Sequence, residues 1–167
     1  KLSENDEIEV SFDRTNNQVV FGIGETVLSS RIIEGDFPDY EKIIPKESLV
    51  TFSVDKNEFE KAIKLASVFA RDSGNIVKFK ILENNLTLSA ESSSSGNQEM
   101  ELEIRQEDSP SKDEIDIMFN FRFIDEVLKT ITDDEVKIVI APDNKASKFL
   151  DSKSPNFLHI IMPIKTN

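Results

Sequence analysis

The stretch LVTFSVDKNEFEKAIKLASVFARDSGNIVKFKIL, Leu49 to Leu82, changes its hydrophobic period twice. Leu49 to Val54 alternates as a strand does, with successive side chains on opposite faces. Asp55 stands where a helix N-cap belongs, because a short carboxylate there accepts from the unpaired N–H groups of the first turn. Phe59, Ile63, Ala66 and Ala70 then recur at helical spacing, and Ser73-Gly74-Asn75 stops the pattern. Ile76 to Leu82 returns to alternation. A strand, a capped helix and a second strand follow one another.

Downstream the grammar continues and then repeats. NLTLSAE (Asn85 to Glu91) and QEMELEIR (Gln98 to Arg105) read as strands, with Glu83-Asn84 and the SSSSGN segment as turns. EIDIMFN is a strand, FRFIDEVLKTI a helix, and EVKIVIA, SKFLDS and NFLHIIMPI are three more strands. The order β-α-β-β-β therefore occurs twice between Leu49 and Ile164, although the halves share little sequence. This makes the class α+β. Two such units side by side bring two helices to one face and two antiparallel sheets to the other. Upstream, EIEVSFD from Glu7, QVVFGI and TVLSSRII alternate around the turn signal DRTNNQ and read as a meander. Between meander and repeats lies EGDFPDYEKIIP, Glu34 to Pro45. Its prolines bias Phe37 and Ile44 away from helix, so the run is expected to be an extended connector.

The chain has 167 residues, enough to bury a sizeable core, and its 12 Phe without Trp supply large rings that need no buried hydrogen-bond partner. It has no Cys, which removes disulfides, thiolate nucleophiles and zinc–thiolate sites and points to a reducing, cytoplasmic setting. No run has the apolar length of a membrane span, and the opening KLSENDEIEV lacks the apolar segment of a signal peptide; it reads as a chain entered partway through. A formal net charge of −12 argues against a whole surface attracted to phosphate, so any nucleic-acid contact needs segregated charge.

Catalytic signatures are weak. His159, the only histidine, lies in a predicted strand with no Cys or second His as a metal partner. Gly22-Ile23-Gly24 lacks the third glycine and following helix of a dinucleotide loop. Asp133-Asp134 and Glu107-Asp108 flank predicted elements, where solvated acids are ordinary. Asn85-Leu86-Thr87 matches a glycosylation sequon by chance. The expectation is no enzyme, no metal and no cofactor.

The first helix is more informative. Opposite its apolar stripe, Asn57, Lys61, Lys64, Val68 and Arg71 fall along one side. From Asp55 to Asp72 four positive charges balance four negative ones, so this helix is neutral within an acidic chain. The second helix adds Arg122 and Lys129. Ordinary solubilising charge explains these residues, and so does a weak phosphate-facing surface without base readout. Val68 and Phe69 form an apolar pair near the helix end that either caps the core or faces a partner chain.

Taken together, EGDFPDYEKIIP, Phe119-Asn120 before the second helix and the ending IIMPIK (Ile160 to Lys165) resemble the bacterial sliding clamps, the beta subunits of the DNA polymerase III holoenzyme. The resemblance covers the whole chain in order and spacing. It implies that residues 1–46 are the end of a clamp's middle domain with its connector, and that 47–167 are the C-terminal domain. It implies the DNA-clamp fold and a non-catalytic processivity factor, a ring of two subunits around duplex DNA. By the same resemblance a hydrophobic pocket takes short linear peptides of polymerases, the clamp loader and repair proteins. Pro38 and Ile43 would line one side of it, with Asn120, Phe123, Ile160, Met162, Pro163, Ile164 and Lys165 on the other. Lys61, Lys64, Arg71, Arg122 and Lys129 would face DNA loosely, and Val68 and Phe69 would pack against the other subunit of the homodimer; a fragment alone would be monomeric. The family generally has Tyr where Phe123 stands, Arg where Lys165 stands and an Arg-Leu type ending where Thr166 and Asn167 stand. The rival reading is an acidic protein-interaction module of similar fold with no DNA role.

Overall fold

A computed structural model describes residues 7–94, 96–108 and 113–165. The opening residues 1–6, Ser95 of the predicted serine turn, the side chain of Asp108 and the Thr166-Asn167 ending lie outside the described part. The chain divides into two compact units, Lys1–Asp39 and Tyr40–Asn167.

The first unit is the expected meander, β1 (Ile8–Asp13), β2 (Gln18–Ile23) and β3 (Thr26–Arg31), all antiparallel. Asp13 shapes the first turn: its carboxylate accepts from the N–H groups of Thr15 and Asn16 at 3.0 and 3.2 Å. The third strand stops at Arg31, short of the Ile33 expected from alternation, although the Ile32 N–H still donates to the Asn17 carbonyl at 2.7 Å.

In the second unit the doubled order is present: β4 (Val50–Asp55), α1 (Lys56–Ala70), β5 (Ile76–Leu82), β6 (Asn85–Ser92) and β7 (Gly96–Asp108), then β8 (Ile115–Asn120), α2 (Phe121–Thr130), β9 (Glu135–Ile140), β10 (Ser147–Leu150) and β11 (Leu158–Ile161). Asp55 caps α1, accepting from the Glu58 N–H at 2.9 Å, and Asn120 caps α2, accepting from the Arg122 N–H at 3.0 Å. Gly74 and Asn75, at φ 70° and 63°, turn the chain after α1, and the Asn75 N–H closes on the Ala70 carbonyl at 2.8 Å.

The two sheets expected from the repeats are joined into one antiparallel sheet of eight strands, ordered β11-β10-β9-β4-β7-β6-β5-β8. The repeats exchange leading strands: β4 of the first pairs with β9 of the second, and β8 of the second pairs with β5 of the first. Beyond β11, the Ile164 N–H donates to the Met118 carbonyl of β8 at 2.8 Å, bringing the two ends of the sheet together. Inside, Phe59, Phe79, Phe119 and Phe149 stack edge to face with centroids 5.8, 5.2 and 5.9 Å apart, running from α1 through β5 and β8 to β10. All four are fully buried, so both repeats share one core. The two helices pack on each other and on the inner side of this sheet.

Two expectations are corrected. Glu34 to Pro45 is not extended throughout, because Tyr40–Lys42 makes a single 3-10 turn onto whose Tyr40 carbonyl the Ile43 and Ile44 N–H groups donate at 3.0 and 3.2 Å. Each proline restrains the residue before it, Phe37 and Ile44, which are indeed non-helical; the residues between keep their donors and can turn. The last strand is also shorter than NFLHIIMPI, since Pro163 has no N–H to continue the ladder past Ile161.

Candidate functional site

Strand alternation decides which side chains of β9 to β11 leave the core. Ile138, Phe149 and Ile161 point inward; Val139, Lys148, Leu158 and Ile160 point outward. An outward face of an antiparallel sheet is ordinarily wet. Here Val139 is 5% exposed and Thr51 beside it on β4 is 7% exposed. The segment Pro45 to Leu49 accounts for this cover. The Lys148 ammonium donates to the Pro45 carbonyl at 3.2 Å, Ser48 and Thr51 share a hydroxyl bond of 2.9 Å, and the Leu49 N–H donates to the Ile140 carbonyl at 2.7 Å. The C-terminal part of the connector therefore lies along the outer face, with Pro45 buried, Ile44 half-buried and Ile43 exposed at its edge.

The tail supplies the facing residues. Met162 is 56% exposed, Pro163 is buried and Ile164 half-buried, while Lys165 is exposed. Asn120 caps α2, and Phe123, 53% exposed, lies in the first turn of that helix. A small cavity of about 160 Å³ is lined by Lys78, Asp116, Ile117, Met118, Asn144 and Ile164. Of the pocket residues expected from the sequence, Ile164 lines this cavity; Ile43, Phe123, Met162 and Lys165 are exposed, Asn120 and Ile160 half-buried and Pro163 buried. Pro38 belongs to the first unit, where it is exposed. Sequence reasoning missed Leu158, Lys148 and Asn144. Leu158 had a signal, because it continues the alternation of Ile160 and Met162.

On the helices, Asn57, Lys61, Lys64, Val68 and Arg71 are exposed as expected, and so are Arg122 and Lys129. Their charges are not equally available. Lys64 bonds Glu60 at 2.5 Å and Lys129 bonds Asp125 at 2.6 Å, each one turn along its own helix. Asp125 holds the Lys129 ammonium above its usual range, and Glu60 of α1 adds to that effect across the helix pair. Lys56 turns aside to donate to the Ile131 carbonyl at 2.5 Å, tying the start of α1 to the end of α2. Among the described residues no ion pair involves Lys61, Arg71 or Arg122. The apolar pair divides: Val68 is exposed while Phe69 packs against the core, and Leu65, one turn before Val68–Phe69 and unremarked in the sequence, is also exposed.

Comparison with known proteins decides among clamp-like folds. A family model described as the DNA polymerase III beta subunit, C-terminal domain, matches residues 41–165. The chain belongs to the DNA polymerase III beta subunit family. It is similar to the beta sliding clamp of Staphylococcus aureus, 30% identical over 167 residues, which cover 99% of this chain and 43% of the relative. Among solved structures, the beta subunit of Thermotoga maritima superimposes with a TM-score of 0.79 at 27% identity, over 96% of this chain and 42% of that one. The Pseudomonas aeruginosa sliding clamp matches at a TM-score of 0.82 and 16% identity, over 98% and 43%; at that identity the likeness is one of fold. The chain thus spans less than half the length of the clamps it matches.

Several further polar groups of this clamp-family chain bond one another. His159 shares a bond of 2.8 Å with Thr130, whose hydroxyl also donates to the Val127 carbonyl; the ring nitrogen is therefore the donor. Burial pushes the His159 imidazole below its ordinary value. Lys137 holds Glu107 below the usual carboxylate range, with Ser53 assisting. Asp133 and Asp134 share Lys153 at 3.3 and 3.7 Å.

Proposed function

We propose that this protein acts as a DNA sliding clamp, a non-catalytic processivity factor that tethers polymerase, clamp loader and repair proteins to duplex DNA in the cytoplasm. Residues 1–46 would then belong to the middle domain with its connector, and 47–167 to the C-terminal domain. The observation that carries the reading is that Ile43, Phe123 and Met162 are large apolar side chains left exposed in the second unit, in a chain of this family. With Pro163 and Lys165 they would receive a short linear peptide. Each Leu or Phe side chain buried there contributes about 2 to 3 kcal/mol before ordering costs. Phe123 offers no hydroxyl and Lys165 no forked donor, which favours apolar contacts over polar ones in this groove.

The helix pair would line the ring. Lys61, Arg71 and Arg122 supply loose, sequence-blind attraction to phosphate, with Lys64 and Lys129 contributing less because carboxylates already hold them. In the homodimer Val68, with Phe69 behind it, would face the other subunit. The nearby edge of β7 suits that role: Gly96 to Glu103 pairs with β6 alone, and Glu99, Glu101 and Glu103 project from its outer side.

The test is titration of the full-length protein with a labelled peptide carrying QLSLF, against a scrambled control. Saturable binding of the motif alone supports the clamp. Equal or absent binding of both peptides favours an acidic interaction module without a DNA role.

A further inference from the structure

On the sheet face under the connector, Lys148 is a cation with no ion pair among the described residues. Lys148 sits at the middle of β10 with its side chain on the outer face, directly opposite Ile160 of β11 and Val139 of β9. Its ammonium reaches a main-chain oxygen 103 residues earlier in the chain, the carbonyl of Pro45. That carbonyl closes the connector just after Ile43 and Ile44, whose N–H groups are used up within the 3-10 turn on Tyr40. Between that turn and the Leu49 N–H, which rejoins the sheet at Ile140, the Lys148 bond is the attachment of the connector main chain to β10.

We propose that Lys148 is a positioning residue for the groove: its aliphatic stem forms floor beside Ile160, and its ammonium pins the Ile43-Ile44-Pro45 wall against the outer sheet. A charged donor to a carbonyl gives a stronger bond than a neutral one, and a lysine stem can lie on apolar surface while its head bonds elsewhere. The consequence is division of labour. In the peptide-groove reading the tail would supply Met162 and Ile164, and Lys148 would hold the connector that carries Ile43. This inference rests on the peptide-groove reading for its effect on binding, but the tether itself does not.

The experiment uses Lys148→Met and Lys148→Arg in the full-length protein. Lys148→Met keeps the stem and removes the donor; Lys148→Arg keeps a donor. Amide exchange tests the tether: the Ile43 and Ile44 N–H groups exchange faster in Lys148→Met and return toward wild type in Lys148→Arg. Titration with the QLSLF peptide tests the consequence: affinity falls about tenfold in Lys148→Met and is largely restored in Lys148→Arg. Unchanged exchange in Lys148→Met overturns the tether whatever the peptide does. Faster exchange with undiminished peptide affinity overturns the positioning role while leaving the groove intact. Failure of the wild type to bind the peptide overturns the groove reading and the positioning role with it, and the exchange result then stands for the tether alone.

Discussion

The two repeats close their sheets at equivalent places in different ways. In the first, β7 is 13 residues long; it pairs with β6, then continues past it to pair with β4, the leading strand of its own repeat. In the second, β11 has four residues, and of the tail beyond it, among the described residues, the Ile164 N–H alone bonds the main chain of β8, the leading strand of that repeat. The difference is chemical. Leu102, Ile104 and alternating polar residues let β7 run on, whereas Pro163 deletes a donor at the corresponding junction. A complete ladder makes a wall. An interrupted one leaves side chains such as Met162 exposed.

The largest effect tests what the repeats have in common. Phe119 touches both Phe79 and Phe149, so Phe119→Ala should cost about 3 to 5 kcal/mol and lower the urea midpoint in a single transition of the second unit. Two separated transitions would show that the repeats have independent cores, and the comparison would collapse.

Next comes the contrast between seams. Met162→Ala should weaken the QLSLF peptide about tenfold while changing stability by less than about 0.5 kcal/mol, because that side chain is largely exposed. Met100→Ala on β7 should do the opposite, costing about 1 to 2 kcal/mol with the peptide unaffected, since Met100 packs against the core. A joint loss of stability and affinity in Met162→Ala would mean that the tail is structural, like β7.

A smaller contrast lies in acid. Glu107 on β7 is held below its ordinary value by Lys137, and Asp151 after β10 by the Thr132 N–H and hydroxyl. A carboxyl depressed in the folded state contributes stability that is present above about pH 4 and lost as pH falls through its folded value. Glu107→Gln should flatten the acid limb of a pH-stability curve at low salt only, because an exposed ion pair is screened. Asp151→Asn should flatten it at low and high salt alike.

The smallest effect concerns the helices. In the full-length protein, Arg122→Ala or Arg71→Ala should reduce the slope of log affinity for duplex DNA against log salt by about 0.9 each. Lys129→Ala, already bonded to Asp125, should reduce it less. Equal reductions would show that the helical ion pairs open on DNA.

Much of this was legible in the chain. Period-two and helical spacing placed the elements of both repeats, Asp55 announced α1, and Ser73-Gly74-Asn75 its end, because backbone hydrogen bonding and side-chain direction are local properties. The motifs in the connector, before α2 and at the end of the chain named the family. Ile160 and Met162 were named by the family resemblance alone; alternation along the last strand offered Leu158 as well, and that signal was not used.

What the chain order could not reveal was who meets whom. The exchange of leading strands between repeats, the Ile164 bond to Met118 and the reach of Lys148 to Pro45 join residues far apart in sequence, and nothing in a local pattern records such pairings. The same holds for charge: Lys61 and Lys64 look alike in the sequence, yet one is bonded to a carboxylate and the other is not. Local chemistry determined the elements and their amphipathic faces; the joining of both repeats into one sheet over one phenylalanine core decided which side chains are buried and which stay exposed.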